Sequence, residues 1–475
     1  MAASGCNHEL VALLDELGWT PARLAREIND MMRCRQVVRQ TVSDWTHLGS
    51  TPRDPLPTVV AHLLSVALNR AITVEQLWLG RAKASTLWLP ADAGINLPWT
   101  PSATVAVLDS WLQGGGPQQM DPDRREFMTI AGAALTVAAW GYVDSSPSRL
   151  GEISLGATGR GSLTITAGMV DVVKDTIKGL RALDDTGGGN TDNLRFIHHH
   201  LLALADWLRH GRFASTAVGD QLLGLWAQLA QLAGWVAQDA ERHGLAQRYW
   251  RSGLHAAHTA GARDVGAYIL SCMAYQAIGQ DRVRDAMELA DAAMDAAKNT
   301  PASVRALVVA RYARAQATMG NVREFRARTE EAQVLLARPD ALDTRPAWLY
   351  WFERLDTQTG LGLLDAVNAS NRNPKALLDE ADAIMSPRFA LYADTMPRDV
   401  VLETLHLARA HVRHGDVDQA LSHGWTVLDK ARAVSSAKCL SRLRGLDAEL
   451  AAHRRIAGNT EVRAFRRELA AVRTA

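Results

Sequence analysis

Apolar residues recur along most of this chain at the three- and four-residue spacing of amphipathic α-helices. From about Ser162 onward the periodic segments come in pairs, separated by glycine or by glycine followed by aspartate or asparagine. The pattern predicts an all-α fold, in which an N-terminal helix-turn-helix bundle precedes a C-terminal α-solenoid.

Three short helices are predicted near the N-terminus. Leu10 to Leu17 and Thr20 to Ile28 are amphipathic, and Gly18 between them suits the left-handed position past a helix end. Thr20 can cap the second helix, with Pro21 at its first position. A third helix is expected from about Val37 to Thr46. Its buried side is predicted to consist of Val38, Val42 and Trp45.

The other side of the third helix carries polar side chains that suit DNA. Arginine pairs with guanine and glutamine with adenine, while hydroxyl groups contact bases or phosphates. Asp44 fits less well beside a polyanion, and it either accepts from cytosine or orients Arg39 or Arg35. The residues predicted to contact double-stranded DNA are Arg35, Arg39, Gln40, Thr41, Ser43, Asp44 and Arg53.

The segment from Leu10 to Gly80 resembles the XRE-type family of phage-repressor-like helix-turn-helix regulators. The resemblance rests on "TVSDW", the later Gly49 and Pro52, and "ITVEQLWLG". One departure is Asn29 to Val37, which makes the link between the second and third helices longer than the usual short turn. The alternative is a helical interaction module in which Trp45 is only a core aromatic.

At 475 residues the chain exceeds the usual size of one hydrophobic core. Trp88 to Asp121 contains several prolines and three consecutive glycines, which is typical of a connector, with a short helix expected around Ala103 to Leu112. We therefore predict a DNA-binding domain at 1–86, a linker with short helices at 87–160 and a repeat domain at 161–475.

Charge and cysteine content give modest further guidance. Between Thr20 and Arg53 there are six arginines and three acidic residues, whereas the net charge of the chain is only +1. This local surplus predicts DNA binding that depends strongly on salt. The four cysteines are far apart and show no CxxC spacing, so neither a zinc site nor a disulfide framework is expected.

Arg124 and Arg125, followed by the apolar run from Thr129 to Trp140, resemble a twin-arginine export signal. Their position after a complete predicted domain argues against export and favours a helix of small residues at Ile130 to Ala139. Met1 to Leu17 lacks the positive region of a signal peptide. A cytoplasmic protein with no membrane partner is therefore expected.

The C-terminal region reads as a repeat array. Its clearest turn spacings are 35 residues from Gly244 to Gly279 and 41 from Gly279 to Gly320, and Gly415 divides a further pair. These values bracket the period of about 34 residues of tetratricopeptide repeats, which the array resembles in degenerate form. Stacked helix pairs of that kind form a concave surface that binds peptides or proteins.

A second resemblance covers most of the chain, through "LPWTPSATVAVLDSW", "DRREFMTIAGAALT" and "LAGWVAQDAERHGLAQRYWRSGLHAAHTAG". These segments are similar to a family of actinobacterial cytoplasmic regulators, which implies transcriptional control, often repression. The architecture is more distantly similar to that of peptide-sensing quorum regulators. That likeness implies a homodimer whose repeats bind a peptide, small-molecule or protein effector.

Several aromatic and arginine side chains of the array are candidates for effector binding. An arginine fork can hold the carboxylate at the end of a peptide, and aromatic rings can form a box around a ligand. The alternative for the rings is packing between repeat helices. The predicted effector-binding residues are Trp235, Arg248, Tyr249, Arg251 and Tyr268.

Enzymatic and metal-binding patterns are weak. Gly156 to Ser162 looks like a phosphate loop but lacks its lysine. His198 to His200, and the group His406, His411 and His414, are expected to be solvated or capping rather than metal ligands. No enzyme, cofactor or bound metal is predicted. The sequence predicts a DNA-binding regulator, and the alternative is an interaction scaffold that does not bind DNA.

Overall fold

In a computed structural model of the chain, nearly every described residue outside short connections is helical. The structure describes residues 6–31, 37–53, 56–68, 72, 74–78, 97–113, 130–146, 164–187, 190–369, 374–392, 394–431, 436–453 and 456–472. The predicted all-α fold is confirmed. The helices are α1 His8–Glu16, α2 Pro21–Met31, α3 Arg39–His47, α4 Leu56–Leu68, α5 Val74–Trp78, α6 Pro101–Gln113, α7 Ala133–Asp144, α8 Ala167–Gly187, α9 Thr191–His210, α10 Thr216–Asp239, α11 His243–Ala260, α12 Arg263–Gly279, α13 Val283–Ala296, α14 Ala302–Thr318, α15 Val322–Leu336, α16 Asp356–Ala369, α17 Pro374–Leu391, α18 Pro397–His414, α19 Val417–Ala431, α20 Ala437–Ala452 and α21 Thr460–Val472.

Two short elements accompany the helices. Strand β1, Thr164–Ile165, pairs in parallel with β2, Arg212–Phe213. A 3-10 turn covers Ala347–Leu349. None of the helices in the described part of the chain is both long and apolar enough to cross a membrane.

The chain divides into two compact units. Unit 1 comprises the described residues of Met1–Val170, His200–Gln231 and His243–Gly266. Unit 2 comprises those of Asp171–His199, Leu232–Arg242 and Ala267–Ala475.

Helices α1 to α5 form the N-terminal bundle of unit 1. Their shared core includes Leu10, Leu24, Val42 and Leu64, all fully buried. Thr20 caps α2 as predicted, because its Oγ1 accepts from the Arg23 amide at 3.2 Å.

The start of α3 differs from the prediction. The helix begins at Arg39, and Val38 is its N-cap with an extended backbone at φ −111° and ψ 161°. Val38 is 59% exposed, so its predicted burial is wrong, and Val37 is buried instead. The physical reason is a clamp from α2, in which the Asn29 side chain donates to the Val37 carbonyl at 2.6 Å and accepts from its amide at 3.0 Å.

Helices α6 and α7, which lie in the predicted linker, pack on α11 within unit 1. The expected short helix is therefore present as α6. Thr104 of α6 donates to the His255 carbonyl at 3.0 Å. Ahead of α7, both backbone groups of Ile130 are held by the side chain of Gln247. These bonds satisfy polar groups that would otherwise be buried without partners.

In unit 2, helices α14, α16, α18 and α20 pack one after another. Each of α14, α16 and α18 also pairs with the helix that follows it in the chain. This succession of helix pairs is a solenoid-like array, in which each pair buries its apolar face against its neighbours.

A common hydrogen bond closes the turns of the array. The Asn321 amide donates to the Gln316 carbonyl at 3.1 Å, and the Asp416 amide to the His411 carbonyl at 3.0 Å. In such a Schellman motif the residue before the donor adopts a left-handed conformation, usually as glycine. Gly320 at φ 76° and Gly415 at φ 77° fulfil this role, in the two turns that the sequence predicted.

Two other predicted turn glycines are displaced. Gly244 lies inside α11 and Gly279 is the last residue of α12, whereas the left-handed residues there are Glu241 and Asp281. The reason is that the same type of hydrogen bond here runs from the Arg242 amide to the Ala237 carbonyl and from the Arg282 amide to the Ala277 carbonyl. The residue before each donor is therefore the left-handed one. Glu241 and Asp281 are 40 residues apart, and Asp281 and Gly320 are 39 apart. This period is longer than the tetratricopeptide value of about 34.

Gly266 is a packing constraint within unit 1. A Cβ atom at this position of α12 would lie 2.4 Å from the ring carbon Cζ of Tyr142 on α7. The ring is rigid, so α7 or the tyrosine has to move to admit a methyl group.

We expect Gly266→Ala to lower the free energy of unfolding by about 1–3 kcal/mol, because the added methyl overpacks the contact with Tyr142. Denaturant unfolding measures the change. Gly179→Ala is the matched control, since this glycine lies within α8 and a Cβ would meet nothing within 4 Å. The control should gain about 0.5–1 kcal/mol. Equal effects for the two substitutions would contradict the packing argument.

His258 lies in the same region between two aromatic rings. Its ring centroid is 5.8 Å from those of Trp99 and Tyr142. Burial lowers the pKa of His258 from 6.5 to about 4; the Ser145 backbone opposes this shift and the charge of Arg263 adds to it. The folded protein therefore holds this imidazole neutral at a pH where the unfolded chain protonates it.

Between pH 6.5 and about 4 the unfolded chain binds more protons at His258, so its contribution to stability is present above this window and is lost as the pH falls. His258→Phe removes this loss while keeping a ring. We expect the variant to lose less stability than the wild type between pH 7 and pH 4.5, by at most about 3 kcal/mol. Unfolding free energies at both pH values give the difference. The control variant His199→Gln, at an exposed site, should lose as much stability as the wild type over this pH range. An equal loss in His258→Phe would contradict the assignment of the pH dependence to His258.

Candidate functional site

The polar face of α3 is the first candidate site. Arg39 and Gln40 are exposed, and Thr41, Ser43 and Asp44 are half-buried along the same helix. The amide of Gln40 donates to Asp44 Oδ1 at 2.8 Å. Arg53 is exposed beyond the helix, whereas Arg35 lies outside the described residues.

The buried face of α3 fixes its orientation in the bundle. Val42 and Trp45 are buried, and the Trp45 ring meets Trp78 of α5 edge-on with centroids 6.1 Å apart. Trp45 is thus a core residue, and its partner comes from the far end of the bundle. The Asn29 clamp holds the chain just before α3. Both contacts hold the backbone that carries Arg39 and Gln40.

Two apolar side chains at the ends of α3 were missed by sequence reasoning. Val38 precedes the helix and Leu48 follows it, and they are 59% and 68% exposed. Exposed apolar groups beside polar ones can contact the methyl group of thymine. The signal in the sequence was the placement of Val38 and Leu48 just outside the helix ends.

The predicted effector residues divide between the two units. Arg248, Tyr249 and Arg251 belong to unit 1, where α6 covers their helix. The Trp111 ring stacks on Tyr249 with centroids 4.8 Å apart, and the Arg248 guanidinium lies 4.1 Å from the Trp111 centroid. Arg251 is only 1% exposed. The Trp111 indole thus packs on Tyr249 and Arg248, two of the residues that were assigned to an effector.

Trp235 and Tyr268 belong to unit 2, where both rings lie close to the guanidinium of Arg311. Sequence reasoning did not single out this arginine. The Arg311 guanidinium is 5.2 Å from the Tyr268 centroid and 5.9 Å from that of Trp235. Tyr275 also approaches it, at 5.8 Å. Tyr268 in turn stacks on Trp348, with centroids 4.7 Å apart. We call Arg311 with Trp235, Tyr268 and Tyr275 the Arg311 cluster.

Arg311 carries a buried charge that no carboxylate neutralises among the described residues. Its side chain is 3% exposed, and its Nη1 donates to Ser271 Oγ at 2.8 Å and to Cys272 Sγ at 3.2 Å. Its Nε has no hydrogen-bond partner in the described structure. A buried cation without a counter-ion is costly. The cluster therefore suits an anionic group with a flat, apolar neighbour.

A neutralised network of charges lies beside this cluster in unit 2. Arg398 contacts Asp184 at 3.0 Å and Asp239 at 2.9 Å, and Lys438 contacts Asp239 at 3.1 Å. Lys438 Nζ also lies 5.7 Å from the Trp235 centroid. The carboxylates of this network are thus already engaged by cations, in contrast to Arg311.

Burial acts to raise the pKa of both network carboxylates, but the neighbouring cations make the outcomes opposite. Burial raises the pKa of Asp184 to about 6, although Arg398 opposes the shift. Burial also acts to raise the pKa of Asp239, but Lys438 and Arg398 together hold it below its ordinary value. Asp239 is therefore the firm anion of the network.

A signal for Arg311 was present in the sequence. Val304, Leu307 and Val308 precede it on the apolar stripe of α14, and Ala315 follows one turn later. A charged residue on an apolar stripe is buried and needs a partner or a ligand.

Two of the histidines that were expected to be solvated or capping are buried instead. His411 is buried at 2% exposure in α18, and His198 is buried in α9. Both lie on the core side of their helices, whereas His199 and His414 are exposed as predicted. Helical position, which turns adjacent residues to different sides, separates them.

Comparison with known proteins adds one similarity. Residues 10–80 match a family model described as the SP15 N-terminal domain. The matched range coincides with the bundle that contains α3. No curated protein and no solved structure matches the chain.

Proposed function

We propose that this protein is a sequence-specific DNA-binding transcriptional regulator whose helical array binds an effector. The observation that carries the proposal is the geometry of α3, which presents Arg39 and Gln40 to solvent while Val42 and Trp45 anchor it in the bundle. Base reading requires polar side chains on a rigidly held helix. Repression is the sense of control that the resemblance to actinobacterial regulators implies.

DNA reading on this surface uses different side chains for bases and phosphates. Arg39 is free to pair with guanine, and Gln40 can exchange its exposed contact with Asp44 for an adenine edge at little cost. Val38 and Leu48 provide apolar contacts for thymine methyl groups. Arg53 is placed outside the helix, where a phosphate contact suits it. A homodimer would read two half-sites about 34 Å apart.

The effector is proposed to carry an anionic group, such as a carboxylate of a peptide or of a small acid, which pairs with Arg311. The uncompensated charge and the surrounding rings of the Arg311 cluster support this part of the proposal. Binding there changes operator affinity to the extent that the effector prefers one arrangement of the protein over another.

The first experiment measures the selection of genomic fragments by the purified full-length protein at two salt concentrations, with sequencing of the retained DNA. We expect enrichment of one palindromic motif, which is lost in the double variant Arg39→Ala/Gln40→Ala because its base contacts are removed. Affinity should fall steeply as salt rises. Arg195→Ala on the exposed side of α9 is the charge-matched control and should retain the motif.

Retention of the same motif by the double variant would contradict the assignment of α3 as the reading helix. If neither salt concentration enriched any sequence, the result would favour the interaction scaffold over the regulator, and a regulator that binds DNA only with its effector would be the remaining alternative.

The second experiment tests whether Arg311 is retained for binding rather than for stability. Replacing an uncompensated buried cation by an apolar side chain of similar length removes its desolvation cost. We therefore expect Arg311→Met to raise the free energy of unfolding by about 1–3 kcal/mol. The control is Arg398→Met in the neutralised network, which should lose about 3–5 kcal/mol because it strands Asp184 and Asp239. A loss of stability in Arg311→Met would assign Arg311 a structural role.

A further inference from the structure

Three side chains from consecutive helices of unit 2 converge on one point. Asp382 comes from α17, His411 from α18 and His423 from α19. One potential ligand atom from each residue lies within 4.8 Å of the other two. Asp382 Oδ2 is 3.3 Å from His411 Nε2 and 3.2 Å from His423 Nε2.

The surroundings resemble the outer shell of a metal site. The hydroxyl of Ser386 donates to Asp382 Oδ1, which leaves Oδ2 directed at the imidazoles. On the far side of His411, Asp416 Oδ2 is 3.6 Å from Nδ1. Metal-bound histidines commonly place their second ring nitrogen against a carboxylate, which selects the tautomer and orients the ring.

His411 is not explained by ordinary packing. It is buried, yet neither of its ring nitrogens makes a hydrogen bond of good geometry to any described residue. Buried polar atoms almost always have a partner. The nitrogen Nε2 points toward the shared oxygen of Asp382, and an ion between the three groups would satisfy it.

The distances and charges fit a dication. Ligands about 2.0–2.1 Å from a tetrahedral ion are about 3.3 Å apart, close to both observed separations from Asp382. Two carboxylates, those of Asp382 and Asp416, lie on either side of the His411 ring and suit a cation.

We propose that Asp382, His411 and His423 form a site for a divalent transition-metal ion, and that Zn²⁺ is the ion their ligand set fits best. Two imidazoles and one carboxylate suit zinc, whereas Ca²⁺ and Mg²⁺ require oxygen ligands. The ion ties α17, α18 and α19 together and leaves one coordination position open. Since Asp382 is the most exposed of the three ligands, that position faces its side of the cluster.

The test is titration of the chelator-treated full-length protein with Zn²⁺, followed by calorimetry and by the thermal unfolding midpoint. We expect one site per chain that raises the midpoint. Asp382→Asn and His423→Gln should each weaken binding at this site at least tenfold, because each removes one of three ligands. Cobalt provides a second readout, since Co²⁺ in a site of low coordination number gives visible ligand-field bands that the two variants should lose.

Matched controls are available on the same helices. Asp379→Asn changes an exposed carboxylate of α17, and His414→Gln an exposed imidazole of α18. Both should bind Zn²⁺ as the wild type does, and circular dichroism checks the folding of every variant. The proposal is overturned if the folded wild type binds no Zn²⁺. It is also overturned if Asp382→Asn binds with unchanged affinity, which would place the ion at other histidines such as His198 to His200.

Discussion

The neutralisation of buried charge is the constraint on which unit 2 depends. Arg398 and Asp184 are 214 residues apart in the chain, and Lys438 and Asp239 are 199 apart, yet each pair is in direct contact. Charges removed from water are tolerated only when their partners are held in good geometry. The network therefore requires α8, α10, α18 and α20 to be placed correctly at the same time. The network therefore stabilises the one arrangement of these helices in which the charged pairs meet.

The Arg311 cluster differs from this network in the partners of its cation. Its cation is as deeply buried as Arg398, but it faces hydroxyl, thiol and aromatic groups rather than carboxylates. Aromatic faces attract a cation without neutralising it. Arg398 is neutralised by carboxylates, whereas Arg311 has no carboxylate partner among the described residues. That difference is the physical basis of the proposed effector site.

The N-terminal bundle meets a different requirement, which is to hold a polar helix face still. Thr20 at the start of α2 and the Asn29 clamp before α3 satisfy backbone groups that a long connection would leave exposed. Trp45 and Trp78 then fix α3 from inside. Along the outward face of α3 the contacts are local, between Gln40 and Asp44 and between His47 and the Ser43 carbonyl.

The sequence by itself determined the all-α fold and several of the helix ends. Periodicity, the Thr20 cap and the left-handed glycines at 320 and 415 act over a few residues, so they could be predicted without knowledge of the fold. Local signals failed where a nearby bond overrode them: Asn29 moved the start of α3, and Schellman bonds placed Glu241 and Asp281 rather than glycines in the turns. Only the tertiary structure decided which distant side chains meet. The contacts of Arg311 with Trp235, and of Asp382 with two histidines, depend on how the packed helices are rotated against each other. A rotation of one helix by one residue would turn its side chain away from the others.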